Sequence, residues 1–339
     1  MRTLFILLFT VLFCFLQAQT KSLRIISYNV ENLFDCKDDS LKNDTEFLPD
    51  GAYHWTPYKF KQKLENISKV ITTVGEWETP VLVGLIEVEN QNTLVHLTKY
   101  ASLKQKKYRY MHKESPDRRG IDVALLYQHT NFKPIKTVFY EVIFPQNARS
   151  KTRDILYTAG ILPNGDTLHV FVNHFPSRYG GQKKSEPKRI YTAEFLKSKT
   201  DSIFLQSPYA NIIIMGDFND YPPDKSLALS LQAKMPSDSI QKTSLYNLAY
   251  PYHNKANIGS HKYKSNWGML DHIIVSGNLL LETNTVYIKD KKMYICQEPF
   301  LLEDDTKYFG KKPFRTHIGK IYHGGYSDHL PVFIDIIIQ

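Results

Sequence analysis

Acidic, amide and imidazole side chains recur in this sequence where short apolar runs begin or end. Glu87 closes the run that starts at Val81, and Asp217 follows the run ending at Met215. Oxygen donors of this kind are the ligands that a hard divalent cation prefers, and the paired Cys/His spacing of a zinc site is absent. Because an anionic phosphate ester repels nucleophiles, such residues indicate metal-assisted phosphate ester hydrolysis. The six segments that share this placement are 28–32, 87–90, 173–174, 217–220, 271–272 and 328–329.

The elements that must position these residues are short runs rich in Val and Ile, which are typical of strands buried in a sheet. Two longer segments carry apolar residues at helical spacing, for example Leu64, Ile67 and Ile71. Their mixed order predicts an α+β fold in which packed sheets lie under outer helices. The predicted strands are 23–30, 81–87, 123–127, 168–173, 212–215, 272–275 and 332–338, and the predicted helices are 58–74 and 188–204.

Three motifs resemble those of the endonuclease/exonuclease/phosphatase superfamily, the group that shares the DNase I fold. They are Ser-Tyr-Asn-Val-Glu-Asn at 27–32, Gly-Asp-Phe-Asn at 216–219 and Ser-Asp-His-Leu-Pro-Val at 327–332. The resemblance covers essentially the whole chain after its N-terminal segment, and the motifs occur in the expected order. It implies a four-layer α/β/β/α sandwich with the active site at one edge of the paired sheets.

The resemblance also implies a metal site. Glu87 matches the main metal carboxylate of the family, and Asn29 and Asp328 are expected to complete or orient the ligand shell. Glu31 lies where some members have a further acidic group. The expected cation is Mg²⁺, with Mn²⁺ or Ca²⁺ as alternatives, and either one or two ions are compatible with the motifs.

Two histidines are implied as proton carriers. His329 matches the histidine of the terminal motif, and Asp271 matches the carboxylate that pairs with it. His174 matches the second histidine of the DNase I and sphingomyelinase branches, and we predict Asp122 as its partner. A reference pKa of ~6.5 suits proton transfer. A carboxylate on the other ring nitrogen fixes the tautomer and stabilises the imidazolium.

Further contacts to the substrate are implied near the motifs. Asp217 and Asn219 match the family's pair that orients the attacking water and the phosphate. The planar guanidinium of arginine suits a phosphate group. The arginines expected to contact the substrate phosphate are Arg119, Arg153, Arg178 and Arg315.

The first residues have the layout of a secretory signal peptide. Arg2 supplies a positive charge, residues 4–16 are nearly all apolar, and Ala18 offers a small residue for cleavage. We therefore predict a signal peptide at 1–18 and a single domain at 19–339, with an elaboration at about 277–326. We expect the protein that remains after cleavage to be a monomer without a stable membrane anchor, located in the periplasm or outside the cell.

Charge and composition narrow the function. The net charge is +9 and 42% of residues are hydrophobic, which excludes general disorder and favours a polyanionic partner. A secreted endonuclease or broader phosphodiesterase is therefore the leading hypothesis. A sphingomyelinase-type phospholipase C or an inositol-phosphate phosphatase is the alternative, because the same core serves all of these. A non-catalytic binding module is disfavoured, since no core catalytic position is substituted. Whether Cys36 and Cys296 pair is left open.

Overall fold

Short strands and a few helices make up the part of the chain that the structure describes. The computed structural model describes residues 20–145, 147, 149–237 and 239–339, so the predicted signal peptide lies outside it. The α-helices are α1 (Pro57–Gly75), α2 (Gln91–Val95) and α3 (Gln182–Gln206). The strands are β1 (Lys21–Leu33), β2 (Leu82–Val88), β3 (Arg109–His112), β4 (Asp122–Tyr127), β5 (Lys133–Tyr140), β6 (Ile155–Ile161), β7 (Thr167–His174), β8 (Asn211–Asp217), β9 (Ala233–Lys234), β10 (Leu245–Asn247), β11 (His261–Tyr263), β12 (Asn266–Gly268), β13 (Asp271–Ser276), β14 (Val286–Ile288), β15 (Tyr294–Ile295), β16 (Leu302–Asp304), β17 (Lys311–Pro313), β18 (His317–Ile318), β19 (Ile321–Tyr322) and β20 (Val332–Ile338). Short turns of 3₁₀ or π helix lie at Thr45–Phe47, His96–Tyr100, Ser102–Lys106, Ser226–Ser230, Tyr250–Tyr252, Gly277–Leu280, Lys289–Lys291 and Pro299–Leu301.

The strands form two large mixed sheets. Sheet I has the order β14-β20-β1-β2-β4-β3, and β15 also pairs with β20. Sheet II has the order β5-β6-β7-β8-β13-β10-β9. The central pairs β1–β2 and β7–β8 are parallel. Three short two-stranded ribbons, β11–β12, β16–β17 and β18–β19, lie outside these sheets.

Alternation along the strands separates the two faces of each sheet. On β1, Ile25 packs into a core that it shares with Val172 and Met215 of sheet II. The next residue, Ile26, packs into a second core on the opposite face. Successive strand residues point to opposite sides of a sheet, so consecutive apolar residues require a layer on both sides. The sequence has continuous apolar runs in these strands because both faces of each sheet are covered.

Helices α1 and α3 supply the outer layers. Leu64, Ile67 and Ile71 of α1 pack against sheet I, and Ala193 and Leu196 of α3 pack against sheet II. The layers therefore run α1, sheet I, sheet II, α3. The predicted four-layer α/β/β/α sandwich is confirmed. Within the described residues, no helix is both long and apolar enough to cross a membrane.

Helix α3 begins earlier than the sequence pattern predicts. The prediction started it at 188, where the apolar residues at helical spacing begin, whereas α3 starts at Gln182 and includes Pro187. A proline removes one intrahelical hydrogen bond, but α3 continues through Pro187. The first turns are polar and carry no apolar periodicity, so the pattern did not reveal them.

The predicted elaboration is only partly separate from the sheets. Strands β14 and β15 both pair with β20 and belong to sheet I. The rest of the segment carries the ribbons β16–β17 and β18–β19. Arg315, between these ribbons, reaches the carboxylates of Glu31 and Asp328. This segment therefore contributes a side chain to the site at the sheet edge.

The two cysteines of the described chain do not pair. Cys36 and Cys296 are free thiols, and Cys296 is buried. Burial raises the pKa of the Cys36 thiol to about 11, with the nearby Asp35 adding to the shift. Burial also raises the pKa of Cys296. Because the thiolate is the reactive form, neither cysteine is a candidate nucleophile at neutral pH.

Gly216 provides a test of how the sheet edge is built. It precedes Asp217 with φ +144°, and a Cβ there would lie 1.9 Å from the Asn173 carbonyl oxygen. We expect Gly216→Ala to lower the free energy of unfolding by at least about 3 kcal/mol, because backbone strain and overlap add. Gly165→Ala is the control, since Gly165 has φ +90° but no neighbour within 4 Å. It should cost about 1–2 kcal/mol in urea unfolding. Equal losses would contradict the overlap.

Candidate active site

The candidate active site lies where strand ends of both sheets meet. In sheet II, Asp217 at the end of β8 is opposite His174 of β7 on one side and Asp271 of β13 on the other. From sheet I, the amide of Asn29 reaches Asp217 at 3.2 Å from Nδ2 to Oδ2. Adjacent strands in register thus bring together residues that are far apart in sequence.

The carboxylate of Asp217 is the central acceptor of this site. Its Oδ1 accepts a hydrogen bond from the Asn219 backbone at 2.9 Å. Its Oδ2 lies 3.8 Å from His174 Nε2 and 3.9 Å from His329 Nε2. Burial raises the pKa of Asp217 to about 7, although the positive charge of His329 opposes this shift. The Nε2 atoms of His174 and His329 therefore both face the buried carboxylate of Asp217.

The predicted pair of Asp271 and His329 is present. His329 Nδ1 lies 2.6 Å from Asp271 Oδ2, and both side chains are buried. The Ser260 hydroxyl accepts a hydrogen bond from the Asp271 backbone at 3.1 Å, which fixes this end of β13. Burial alone lowers the pKa of His329, but the charge and hydrogen bond of Asp271 outweigh burial. The pKa consequently lies well above its usual value.

His174 has a different environment. Its Nε2 lies 3.9 Å from Glu87 Oε1 and 3.8 Å from Asp217, while its buried Nδ1 has no hydrogen-bond partner. Burial lowers the pKa of His174 well below its usual value, and the positive charges of Arg153 and Arg119 lower it further. The two histidines of one site thus have opposite proton affinities.

The predicted pair of Asp122 and His174 is wrong. Asp122 Oδ1 accepts a hydrogen bond from the Ser115 backbone at 3.0 Å, and Oδ2 lies 3.5 Å from His112 Nε2. No nitrogen of His174 comes within 4.0 Å of this carboxylate among the described contacts. Asp122 begins β4, where it is directed towards the neighbouring strand β3 that carries His112. Strand β3 was not predicted, so this competing partner could not be recognised.

An irregularity in β2 determines the direction of the Glu87 side chain. The register between β2 and β4 shifts between Ile86 and Val88, and Glu87 has a left-handed backbone with φ +70°. Such irregularities redirect side chains and are common beside active sites. Glu87 Oε2 accepts a hydrogen bond from the Asn32 backbone at 2.9 Å, while Oε1 faces His174. One carboxylate oxygen is therefore fixed and the other is directed at the site.

Asn29 serves as an orienting residue. Its Oδ1 accepts a hydrogen bond from the Glu31 backbone at 3.0 Å, and its amide donates to Asp217. The amide thus links the two sheets at the site. Of the two roles expected for Asn29, completing or orienting the metal shell, these contacts favour orientation.

Arg315 joins two of the predicted metal carboxylates. Its Nη2 lies 3.0 Å from both Glu31 Oε1 and Asp328 Oδ2, and the Thr316 backbone donates to Glu31 Oε2 at 2.7 Å. Burial raises the pKa of Glu31, with Asp328 adding to it. Burial also favours a raised pKa for Asp328, but the positive charges of Arg315, His329, His261 and Lys63 together outweigh burial and lower the value. The structure therefore uses Arg315 as a clamp between carboxylates rather than as a free phosphate contact.

Arg178 also has a structural role, and its predicted contact with the substrate phosphate stays a prediction. Its Nε donates to the Asn219 carbonyl at 2.7 Å, and its Nη2 donates to Asp224 at 2.9 Å. Its guanidinium lies 4.3 Å from the centroid of the Tyr221 ring. These contacts hold the loop that follows Asp217, so the guanidinium is occupied by the protein itself.

The other two arginines remain available to differing degrees. Arg153 is buried and donates to the Phe175 carbonyl at 2.6 Å and to Asp117 at 3.2 Å. Arg119 has a half-exposed side chain and lies 3.9 Å from Asp117. Both act on the pKa of His174, so both lie within electrostatic range of the site. The contact of each of the four predicted arginines with a substrate phosphate stays a prediction.

His261 is a site residue that the sequence did not reveal. Ligand atoms of His261, Asp328 and His329 all lie within 4.8 Å of one another, and the His261 and His329 ring centroids are 4.8 Å apart. Burial lowers the pKa of His261 to about 4, and the charge of His329 contributes. A neutral imidazole can act as a metal ligand. His112, Glu114 and Asp122 form a second cluster whose ligand atoms all lie within 4.8 Å of one another. Neither His261 nor His112 adjoins a predicted strand, so nothing distinguished them from ordinary histidines.

The donor set fits a hard divalent cation. Carboxylates of Glu87 and Asp217 both face His174, and the negative charges of Asp271 and Glu87 help raise the pKa of Asp217. Burial is the main cause of this shift, and the negative charge of the neighbouring carboxylates adds to it. A bound cation would offset that charge, and oxygen-rich sites of this type suit Mg²⁺, Mn²⁺ or Ca²⁺.

Solved structures with the same fold support this interpretation of the architecture. An endonuclease/exonuclease/phosphatase family protein from Bacteroides thetaiotaomicron is 14% identical with a TM-score of 0.56, covering 95% of this chain and 99% of that chain. A mannosyl-6-phosphatase from the same organism is 15% identical with a TM-score of 0.56, over 93% and 99% of the two chains. The human Nocturnin catalytic domain with bound sulfate is 14% identical with a TM-score of 0.55, over 94% and 95%.

The fold and the carboxylate–histidine site together define a phosphoesterase of the DNase I-like class. The sequence model of the Endonuclease/Exonuclease/phosphatase family matches residues 24–337. The chain therefore belongs to the endonuclease/exonuclease/phosphatase family, whose members generally depend on a divalent metal. No curated protein sequence matches it significantly.

The contact between Asp271 and His329 predicts a coupled effect. Asp271→Asn should lower the pKa of His329, because it removes the charge that stabilises the imidazolium. Turnover should fall by about 10²-fold, the scale of general acid–base catalysis, while substrate affinity changes far less. NMR titration of the His329 ring and steady-state kinetics measure the two effects.

A double variant provides the control for this prediction. His329→Ala combined with Asp271→Asn should cost little more turnover than His329→Ala alone, because residues that act as a unit are non-additive. Strictly additive losses would show that Asp271 acts independently of His329.

Proposed function

We propose that this chain is a secreted, divalent-metal-dependent phosphodiesterase that acts on nucleic acid. The observation that carries the proposal is the placement of two imidazoles on one carboxylate. His174 Nε2 and His329 Nε2 lie 3.8 and 3.9 Å from Asp217 Oδ2, and Asp271 holds the other nitrogen of His329. Hydrolysis of a diester requires a base for the attacking water and an acid for the leaving alkoxide. Two imidazoles at one carboxylate can provide both.

The environments of the histidines support a division of labour. Asp271 stabilises a proton on His329, so this ring is suited to donate a proton to the leaving oxygen. Burial keeps His174 neutral, so its Nε2 can accept a proton from water. Titratable groups whose environments move their pKa values apart are typical acid–base pairs. Asp217 and Asn219 orient the water and the phosphate between the two rings.

The metal has a limited and distinct role in this proposal. When bound, Mg²⁺ polarises the phosphoryl group and neutralises its charge. Mn²⁺ or Ca²⁺ is the alternative. Glu87 would hold the cation through the oxygen that faces the site, with Asp328 beside it and Asn29 orienting Asp217. The imidazoles remain free for proton transfer.

Nucleic acid is favoured over lipid as the substrate. The chain carries a net charge of +9, which attracts a polyanion. A lipid-directed member of the fold would expose an apolar hairpin, and the segment 286–300, with Tyr287, Met293, Tyr294, Ile295 and Phe300, is the part of the sequence that could form one. In the structure Met293 is fully buried, and Tyr294 stacks on Phe333 with ring centroids 5.2 Å apart. This segment is part of sheet I and does not form an exposed apolar hairpin.

Parallel assays test the substrate class directly. Mature protein with Mg²⁺ is compared on plasmid DNA, RNA, sphingomyelin, inositol phosphates and an aryl phosphodiester. The proposal expects the highest kcat/KM on DNA or RNA. Faster turnover of sphingomyelin or of an inositol phosphate would replace it with the corresponding alternative. Secretion rests on the N-terminal sequence, and N-terminal sequencing of exported protein should begin near residue 19.

Removal of the metal should abolish activity. Chelator is expected to stop hydrolysis, and Mg²⁺ or Mn²⁺ should restore it, because the cation neutralises the phosphate charge. Glu87→Gln should retain the fold and raise the half-saturating Mg²⁺ concentration at least about tenfold, since it removes a ligand charge.

Glu89→Gln is a matched control for the metal prediction. Glu89 is buried, and burial raises its pKa to about 9, so it is already neutral at pH 7. The substitution should leave the Mg²⁺ requirement unchanged. Full activity of the wild type in chelator would contradict the proposed mechanism.

Salt dependence distinguishes binding to a polyanion from binding to a neutral surface. Affinity for a fluorescent oligonucleotide, measured by anisotropy in chelator, should fall linearly on a log–log plot against salt. The slope is about −0.7 to −0.9 for each phosphate neutralised. Salt-independent binding, combined with faster turnover on phospholipid vesicles, would instead favour the lipid alternative.

A further inference from the structure

A basic pocket lies beside the active site and has no role in the proposed mechanism. It has a volume of about 370 Å³ and lies between the segment before β6 and the first turns of α3. No acidic side chain lines it. Its volume falls in the range of about 300–1,000 Å³ typical of small-molecule sites. The lining residues that bear cationic or hydroxyl groups include Lys151, Thr152, Arg153, Ser177, Lys184 and Lys188.

The N-terminus of α3 contributes to this pocket. The helix spans 25 residues and begins after Gly181, which has no side chain to cap the first backbone N–H groups. Lys184 and Lys188 are four residues apart and so lie on the same face, towards the pocket. The first N–H groups and the dipole of a helix favour a negative group at this end.

Two buried donors provide an independent indication of an anion. Arg153 Nε and Thr152 Oγ1 have no hydrogen-bond partner, and the two residues are only 6% and 4% exposed. An unmatched buried polar group costs about 1–3 kcal/mol. Asp117 is the carboxylate in contact with Arg153, at 3.2 Å. Burial lowers the pKa of Arg153, so its charge is incompletely compensated. A hydroxyl and a guanidinium can both donate to an anion.

The same arginine connects the pocket to the active site. Arg153 Nη2 donates to the carbonyl of Phe175 at 2.6 Å, and Phe175 directly follows His174. Pro176 and Ser177, the next residues, line the pocket. One continuous backbone segment therefore runs from a catalytic imidazole to the wall of the basic pocket. A ligand that extends from the site along this segment would place its next group in the pocket.

We propose that the pocket formed by Thr152, Arg153 and the first turns of α3 binds a phosphate group of the substrate other than the one that is cleaved. The proposal rests on the proposed phosphodiesterase function in assigning the ligand to the substrate. It predicts that substrates with two phosphate groups are preferred over those with one. The second phosphate can belong to an adjacent nucleotide or to a small molecule that carries two phosphates.

Pyrophosphate binding tests the pocket without any reaction. Isothermal titration in chelator should show one pyrophosphate site in the wild type. Lys184→Gln combined with Lys188→Gln should weaken it about tenfold, the scale of charge-assisted hydrogen bonds. Lys183→Gln is the matched control, because Lys183 is exposed on the same turn but does not line the pocket. Equal weakening by Lys183→Gln, or no weakening by the pair, would overturn the proposal.

Thr152→Val adds a test that separates binding from folding. Because its hydroxyl is unpartnered, removing it should leave the free energy of unfolding unchanged or higher, yet weaken pyrophosphate binding. A loss of stability without a loss of binding would contradict a role in the pocket. Asp217→Asn should leave pyrophosphate binding intact, which places the anion outside the catalytic centre; abolished binding would instead assign it to that centre.

Kinetics identify the source of the second phosphate. The comparison uses two pairs of substrates. The first pair is a dinucleotide with one internal phosphate and the same dinucleotide with an added terminal phosphate. The second pair is a small aryl phosphodiester with and without a second phosphate. The Lys184/Lys188 double variant should raise KM about tenfold only for the two-phosphate member of the preferred pair. An equal rise for one-phosphate substrates would overturn the pocket's role. Absence of hydrolysis in every arm would reject the proposed function, while pyrophosphate titration would still decide the pocket.

Discussion

The buried carboxylate of Asp217 is the contact on which the rest of the site depends. It lies at the end of β8, receives the amide of Asn29 from the other sheet, and faces the imidazoles of His174 and His329. The contacts with Asn29 and His329 require the two sheets to be stacked in one relative position, whereas His174 lies on β7, next to β8 in sheet II. Gly216 permits the backbone to turn into this position where any side chain would strike β7. The four-layer packing is therefore a condition for the chemistry, because a shift of either sheet would separate the carboxylate from its partners.

The protein differentiates two chemically identical side chains through their surroundings. His329 receives a carboxylate on its second ring nitrogen, whereas the corresponding nitrogen of His174 is buried without a partner. The carboxylate of Asp271 therefore raises the pKa of His329, whereas burial, with the charges of Arg153 and Arg119, lowers the pKa of His174. In a medium of low dielectric constant such contacts move proton affinity strongly. Under the proposed function, a ring that holds its proton and a ring that stays neutral would supply an acid and a base at the same pH.

Much of this arrangement could be predicted from sequence, and the failures have physical causes. The apolar strands and the contact of Asp271 with His329 were predicted correctly. That contact joins β13 of sheet II to the segment before β20 of sheet I, so it followed from the resemblance to a known fold and not from strand register. The partner of Asp122 was missed, since the competing His112 lies on a strand without an apolar pattern. The aim of Glu87 depends on a left-handed residue within a strand irregularity, which no periodicity reveals. The partners of the arginines were the least predictable contacts, because a long side chain can reach several nearby carboxylates.

The allocation of arginines gives the site two electrically different sides. Arg315 is held by Glu31 and Asp328, and this side keeps an excess of carboxylates that favours a cation. On the other side Arg153 has one carboxylate contact and adjoins the basic pocket at the start of α3. In the binding mode proposed above, a phosphate ester would have its cleaved group near the carboxylates that would hold a cation and its remaining negative charge directed towards the pocket. Charge asymmetry of this kind orients an extended anion in one direction only, because the reversed orientation would place the second phosphate among the carboxylates. In that proposal, electrostatics would determine the orientation of the substrate in the site.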